Sequence, residues 1–183
     1  MNKLNTLILL TVAFTMVFAQ SAFSPLRNWV GVQPDLLPSF MVYVGLTTPL
    51  THLAVVSVAA GLWFDSLSAN PLGVTVLPLF VIGFVLRNYQ GLILRNQHYA
   101  QWILGGIASG LAPLFTLVLI WMHGMQPLVT WFSVWQWLVL IIVGAVATPV
   151  WFAGLDKLLN ALNYGMVEES SFRADRQIKR GRY

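Results

Sequence analysis

Residues able to do acid–base, nucleophilic or metal chemistry are few in this chain, and their spacing assembles none of the familiar sites. The sequence holds three histidines, six acidic residues and no cysteine. His52, His98 and His123 fall near separate helix ends. None pairs with another at i, i+4, the spacing that sets two imidazoles on one helix face around a metal. Without cysteine there is no thiolate site and no disulfide framework. Asp35 and Asp65 are isolated carboxylates without a partner acid or base, so they do not form the pair that hydrolysis uses. No Gly-x-Ser-x-Gly elbow, P-loop or dinucleotide fingerprint occurs. No cofactor is expected, and the chain reads as a protein that is not an enzyme.

The elements that must carry these residues are apolar. Hydrophobic residues make up 57% of the chain and charged residues 9%, against about 25% charged in soluble proteins. No ionisable side chain lies between Lys3 and Arg27, and between Tyr99 and Leu155 only His123 titrates in the ordinary range. A charge at mid-bilayer costs at least about 2.5–3.5 kcal/mol on insertion scales, so these silences map lipid-crossing stretches. They run continuously apolar, which argues for helices over the period-two strands of an outer-membrane barrel.

Six spans are expected, at 4–23, 36–48, 50–66, 74–90, 100–122 and 134–160. They form an all-α integral membrane domain over 1–162, followed by a basic cytoplasmic tail over 163–183. Pro49 drives Thr48 towards an extended shape, so the second and third spans are read as two helices joined by a tight re-entry, not as one kinked helix. Pro78, Pro113 and Pro149 lie within spans four, five and six, and each predicts a bend. The run from Lys3 through Leu7–Phe18 to Ala19-Gln20-Ser21-Ala22 also resembles a cleavable signal peptide. A retained first helix is the expectation.

Basic residues set the orientation. With the N-terminus inside, Lys3, Arg87, Arg95, Lys157, Arg173, Arg176, Lys179, Arg180 and Arg182 are all cytoplasmic, and Arg27 alone of the ten basic residues falls outside. This asymmetry holds only for an even number of crossings, so both termini are placed in the cytosol. The formal charge of +4 then reflects orientation, and no nucleic acid partner is expected. Arg87, Arg95, Arg173, Arg176, Lys179, Arg180 and Arg182 are candidates for contact with anionic membrane lipid, at roughly 1 kcal/mol each, or with an acidic cytoplasmic partner. Trp29, Trp121, Trp131, Trp135 and Trp137 crowd the outer loops, where indoles anchor at the headgroup layer.

Two local patterns carry more information. Gly105, Gly106, Ser109 and Gly110 put small residues four apart in span five, a spacing that lets two backbones approach in lipid. Internal packing is the first expectation, docking of a partner or a second copy the other. Between spans three and four, Asp65-Ser66-Leu67-Ser68-Ala69-Asn70-Pro71-Leu72-Gly73 forms a short outer turn. An Asp at a helix C-terminus sits at the unfavourable end of the dipole, so hydrogen bonds from Ser68, Asn70 or loop amides must offset it. Pro71 presets one turn dihedral and Gly73 permits a left-handed one.

At that turn the sequence resembles the MreD family of rod shape-determining proteins. The family signature G-L-x-x-D-x-x-S-x-x-P-L-G appears as Gly61-Leu62-Trp63-Phe64-Asp65-Ser66-Leu67-Ser68-Ala69-Asn70-Pro71-Leu72-Gly73, with Asp65, Ser68, Pro71 and Gly73 as its turn residues. Pro34-Asp35-Leu36-Leu37 resembles the Pro-Asp-Leu that leads into the family's second span. The resemblance implies a noncatalytic scaffold subunit of the elongation machinery in the bacterial inner membrane. It implies direct binding of MreC, and links to MreB, RodA and the transpeptidase of lateral peptidoglycan synthesis. It also implies a fold like the six-helix substrate-binding subunits of energy-coupling-factor vitamin transporters. That kinship suggests small-molecule uptake as the alternative function. Those subunits often carry Ala-x-x-x-Ala in the first span; here Ala13 is followed by Val17, which counts against transport.

Overall fold

The computed structural model describes residues 3–22, 31–68, 70–90, 98–124 and 130–170, and these fold into helices without strands. Six α-helices follow in order: α1 Lys3–Ala22, α2 Leu37–Thr47, α3 Leu50–Leu67, α4 Val76–Asn88, α5 His98–Met122 and α6 Trp131–Ser170. Four of them, α1, α3, α5 and α6, are long and apolar enough to cross a membrane. α2 and α4 are shorter. At 11 and 13 residues and 1.5 Å per residue, they reach about 17 and 20 Å, less than the roughly 30 Å hydrocarbon layer.

The shorter of the two lies at the centre. Every residue of α2 from Leu37 to Leu46 is buried, and α2 packs against all five other helices. A helix apolar on every side belongs in a core, and α2 is the axis of this bundle. Phe40 and Tyr43 of α2 meet Trp151 and Phe152 of α6 edge-on. α2 stops where Pro49 forces Thr48 to φ −115° and ψ 154°, and α3 starts directly after Pro49. The Arg87 guanidinium at the end of α4 donates to the Thr48 carbonyl, filling an acceptor that neither helix uses.

Helix direction alternates along the chain. The end of α1 (Gln20), the approach to α2 (Asp35), the end of α3 (Leu67), the start of α4 (Thr75), the C-terminal part of α5 (Thr116) and the start of α6 (Gln136) all meet around one cavity. Thr48 and Arg87 lie together at the opposite end.

α5 and α6 form the most extensive pair, and small residues make it so. A Cβ on Gly105 would fall 2.0 Å from Thr148 Oγ1, and one on Gly144 would fall 1.9 Å from Ser109 Oγ. Gly105 and Ser109 on α5 therefore mesh with Gly144 and Thr148 on α6. Gly110 is tight against Ile141, at 3.1 Å, while Gly106 has ordinary contacts. Threonine hydroxyls inside the apolar helices bond back to the preceding turn, as Thr116 does to Ala112 and Thr148 to Gly144, which hides their polarity from lipid.

Two expectations need correction. Pro78 is the third residue of α4, in the first turn, where its missing N–H has no helical partner to lose. It does not interrupt a span; Pro113 and Pro149 do lie inside α5 and α6. α6 does not stop near residue 160 but continues as helix to Ser170. Asp156 Oδ1 accepts a 2.9 Å bond from Tyr43 Oη, because it follows Phe152 and Leu155 on the buried face of α6.

Overpacking an interior helix contact typically costs about 1–3 kcal/mol. Gly144→Ala should lower unfolding stability by about that amount, measured by reversible denaturation in mixed micelles. Gly154→Ala, where an added Cβ meets nothing within 4 Å, should stay within about 0.5 kcal/mol of the parent.

Candidate functional site

Asp65 lies in the last turn of α3 and is only 2% exposed. Its own helix presents carbonyls there, so the charge needs donors from elsewhere. They come from the threshold of α4. Oδ2 accepts from Gly73 N at 2.8 Å and from Thr75 N at 3.1 Å, while Oδ1 accepts from the Thr75 hydroxyl. Thr75 is the N-cap residue of α4 and makes no side-chain cap of its own. The Asp65 carboxylate takes that place, at the end of α4 where the dipole favours negative charge.

The rest of the turn makes this reach possible. Gly61 stands one helical turn before Asp65 on the same face, and a Cβ there would fall 2.8 Å from Val76 N and Cα. Only glycine lets the start of α4 approach so closely. Gly73 has φ +91°, a left-handed backbone in which its amide turns towards the carboxylate. Pro71 accepts the turn bond from Val74 N through its carbonyl. Of the donors expected for Asp65, the loop amides serve. Ser68 instead bonds the Asp65 main-chain oxygen and receives Asn70 N. Thr75 went unnoticed in the sequence because a threonine opening an apolar stretch looks like any helix residue.

Asp35 lies just before α2, with Pro34 beside it. Its Oδ1 accepts from Leu37 N at 2.9 Å, satisfying one of the orphan amides of the helix start. Burial pushes its carboxyl up from the usual 3.8 to about 6. The Leu37 amide partly offsets this, and the nearby Asp65 charge adds to the upward push. Asp35 and Pro34 line a cavity of about 490 Å3 together with Ser68, Asn70 and Thr75 of the turn region. The turn motif and the start of the second helix are thus brought to one place.

The remaining predicted residues are elsewhere. Gly105, Gly106, Ser109 and Gly110 serve the α5–α6 contact, with Ser109 also reaching the cavity wall. Arg87 is half-buried at the opposite end of the bundle. Arg95, Arg173, Arg176, Lys179, Arg180 and Arg182 lie outside the described residues, as does the His98 side chain. His52 contacts Thr51, and His123 donates through its ring nitrogen to the Leu119 carbonyl. Among the described residues no three potential metal ligands cluster. Trp137 donates to the Gly110 carbonyl at 2.8 Å, next to the break that Pro113 makes in the α5 ladder.

Two outcomes follow for stability. Asp65→Ala leaves two amides and a hydroxyl without their acceptor, at about 1–3 kcal/mol for each buried group left unpaired. It should destabilise far more than Asp65→Asn, which keeps an acceptor oxygen; thermal unfolding of both variants checks this. For Asp35, the folded protein holds its proton up to about pH 6, whereas the unfolded chain releases it near 3.8. The resulting stability is full below pH 3.8 and is lost as pH rises through 6. Asp35→Asn should therefore stabilise the protein at pH 7.5, with the gain vanishing towards pH 4.

A family model described as rod shape-determining protein MreD matches residues 1–161. No curated protein and no solved structure is significantly similar to the chain, and the expected likeness to energy-coupling-factor subunits draws no support from these comparisons. With the match running over both the Pro34-Asp35 approach and the Asp65 turn, the chain belongs to the MreD family of rod shape-determining proteins.

Proposed function

We propose that the chain serves rod shape determination as a noncatalytic scaffold of the bacterial inner membrane, crossing it six times with both termini in the cytosol, and that its outer turn helps capture MreC. The observation that carries this reading is the Asp65 lock. Its carboxylate is bound by three donors from its own loop, so it is held as a structural acceptor. What the lock produces is a shaped surface. Leu72 at the tip of the turn is 71% exposed, an apolar side chain on a rigid hairpin, as suits a protein contact.

Six crossings are supported by the alternation of helix ends around the outer cavity. α2 is shielded from lipid by its neighbours and need not match the bilayer thickness by itself. The even number agrees with the excess of basic residues assigned to the cytosolic side. One observation favours the alternative of small-molecule uptake, the outer cavity itself. Against it, Ala13 and Val17 are both buried in the bundle, so that stretch of α1 offers no free face for a coupling protein. Tight vitamin binding by the purified protein would replace the scaffold reading.

Asp65→Ala, expressed at normal level, should reduce MreC recovered by affinity purification several-fold and round the cells; full recovery with rod-shaped cells contradicts the proposal. Because the chain lacks cysteine, a single Leu72→Cys substitution reports orientation. A membrane-impermeant maleimide should label it from outside intact spheroplasts, and labelling from the cytosolic face alone contradicts the topology.

A further inference from the structure

The outer cavity holds more polarity than the fold uses. Its volume of about 490 Å3 falls within the roughly 300–1,000 Å3 of small-molecule sites. Exposed Gln33 and Gln136 mark its mouth, and buried Thr75, Leu79 and Ser109 its floor. Asp35 is the one ionisable residue among the described residues that line it, and only its Oδ1 has a hydrogen-bond partner there. Both amide atoms of Gln20 are buried without a partner among the described residues. So is the hydroxyl of Ser109, a residue 1% exposed. Buried polar atoms left unpaired cost about 1–3 kcal/mol each, and Gln20 on α1 and Ser109 on α5 both border the cavity.

Charge decides which guest. Asp65 stands close enough behind Asp35 for their charges to interact, and no basic side chain lines the cavity among the described residues. An anion is repelled there and a cation attracted. Phe64, Pro113 and Leu140 supply apolar wall. We propose that the outer cavity binds an organic cation, a protonated amine on an apolar body, whose ammonium meets Asp35 and whose further polar groups face Gln20. The site goes beyond the scaffold reading and does not depend on it.

Binding is linked to protons. The amine needs the ionised carboxylate, so occupancy falls as pH drops below about 6. Asp65 of α3 is the other titratable group that faces Asp35; the cavity walls from α1, α4, α5 and α6 contribute none among the described residues. The ammonium arrives either on a free amine or on a lysine of a bound protein segment.

The test uses the full chain in lipid nanodiscs, titrated calorimetrically with 2-phenylethylammonium, and with neutral 2-phenylethanol and anionic 3-phenylpropionate as controls. Saturable binding of the amine alone is expected at pH 7.5, at least tenfold weaker at pH 5 and in Asp35→Asn. Thr116→Phe, which fills the cavity from α5 and leaves the carboxyl in place, should also lose binding and serves if Asp35→Asn fails to fold. Equal binding of 2-phenylethanol, unchanged affinity in Asp35→Asn, or no saturable binding at all overturns the proposal and leaves a water-filled vestibule. Once the amine binds the isolated chain, repeating the titration on the complex with its co-purified partner separates the sources. A probe that still binds identifies a free-amine site, and a blocked probe identifies the partner's basic side chain as the cation.

Discussion

A carboxylate buried at the negative end of its own helix and captured by the positive end of the next holds this structure together. Alone at the C-terminus of α3, Asp65 would be repelled by the carbonyls around it. Bound by Gly73, Thr75 and the Thr75 hydroxyl, it joins α3 to α4 and fixes the turn between them. The same bonds set Thr75 at the cavity floor and keep a negative charge near Asp35. The shape of the turn and the electrostatics of the cavity beside it thus have one origin.

The remainder of the bundle is organised by closeness. Water expulsion does not drive helices together in lipid, so backbone approach and side-chain meshing must do so. Gly61 admits the start of α4, Gly45 and Gly83 bring α2 against α4, and Gly105 with Gly144 brings α5 against α6. These contacts ring α2, whose burial on all sides lets a helix of three turns form the centre of a membrane domain.

Apolar runs and their interruptions located six helices, five of them to within two residues at each end, because the cost of charge in lipid is large enough to write itself into the chain. The Thr48–Pro49 break and the need to offset Asp65 were readable for the same reason: both are local consequences of backbone chemistry. Lengthwise, α6 was harder. Its polar continuation past Asn160 reads as the end of a span, but a helix leaving lipid can continue on backbone propensity alone. Thr75, Gly144 and Thr148 were missed because their roles are tertiary. A hydroxyl or a small residue shows its partner only once two helices are placed side by side. The cavity, built from all six helices, has no sequence signature at all.

Amide hydrogen exchange at Gly73 and Thr75, read by site-resolved NMR on the chain in nanodiscs, tests the Asp65 lock most directly. Strong protection of both amides in the parent protein, lost at both when Asp65 becomes Ala while the core amides of α2 stay protected, is the predicted result. Rapid exchange at Gly73 and Thr75 in the parent itself, or protection that survives removal of the carboxylate, would contradict it.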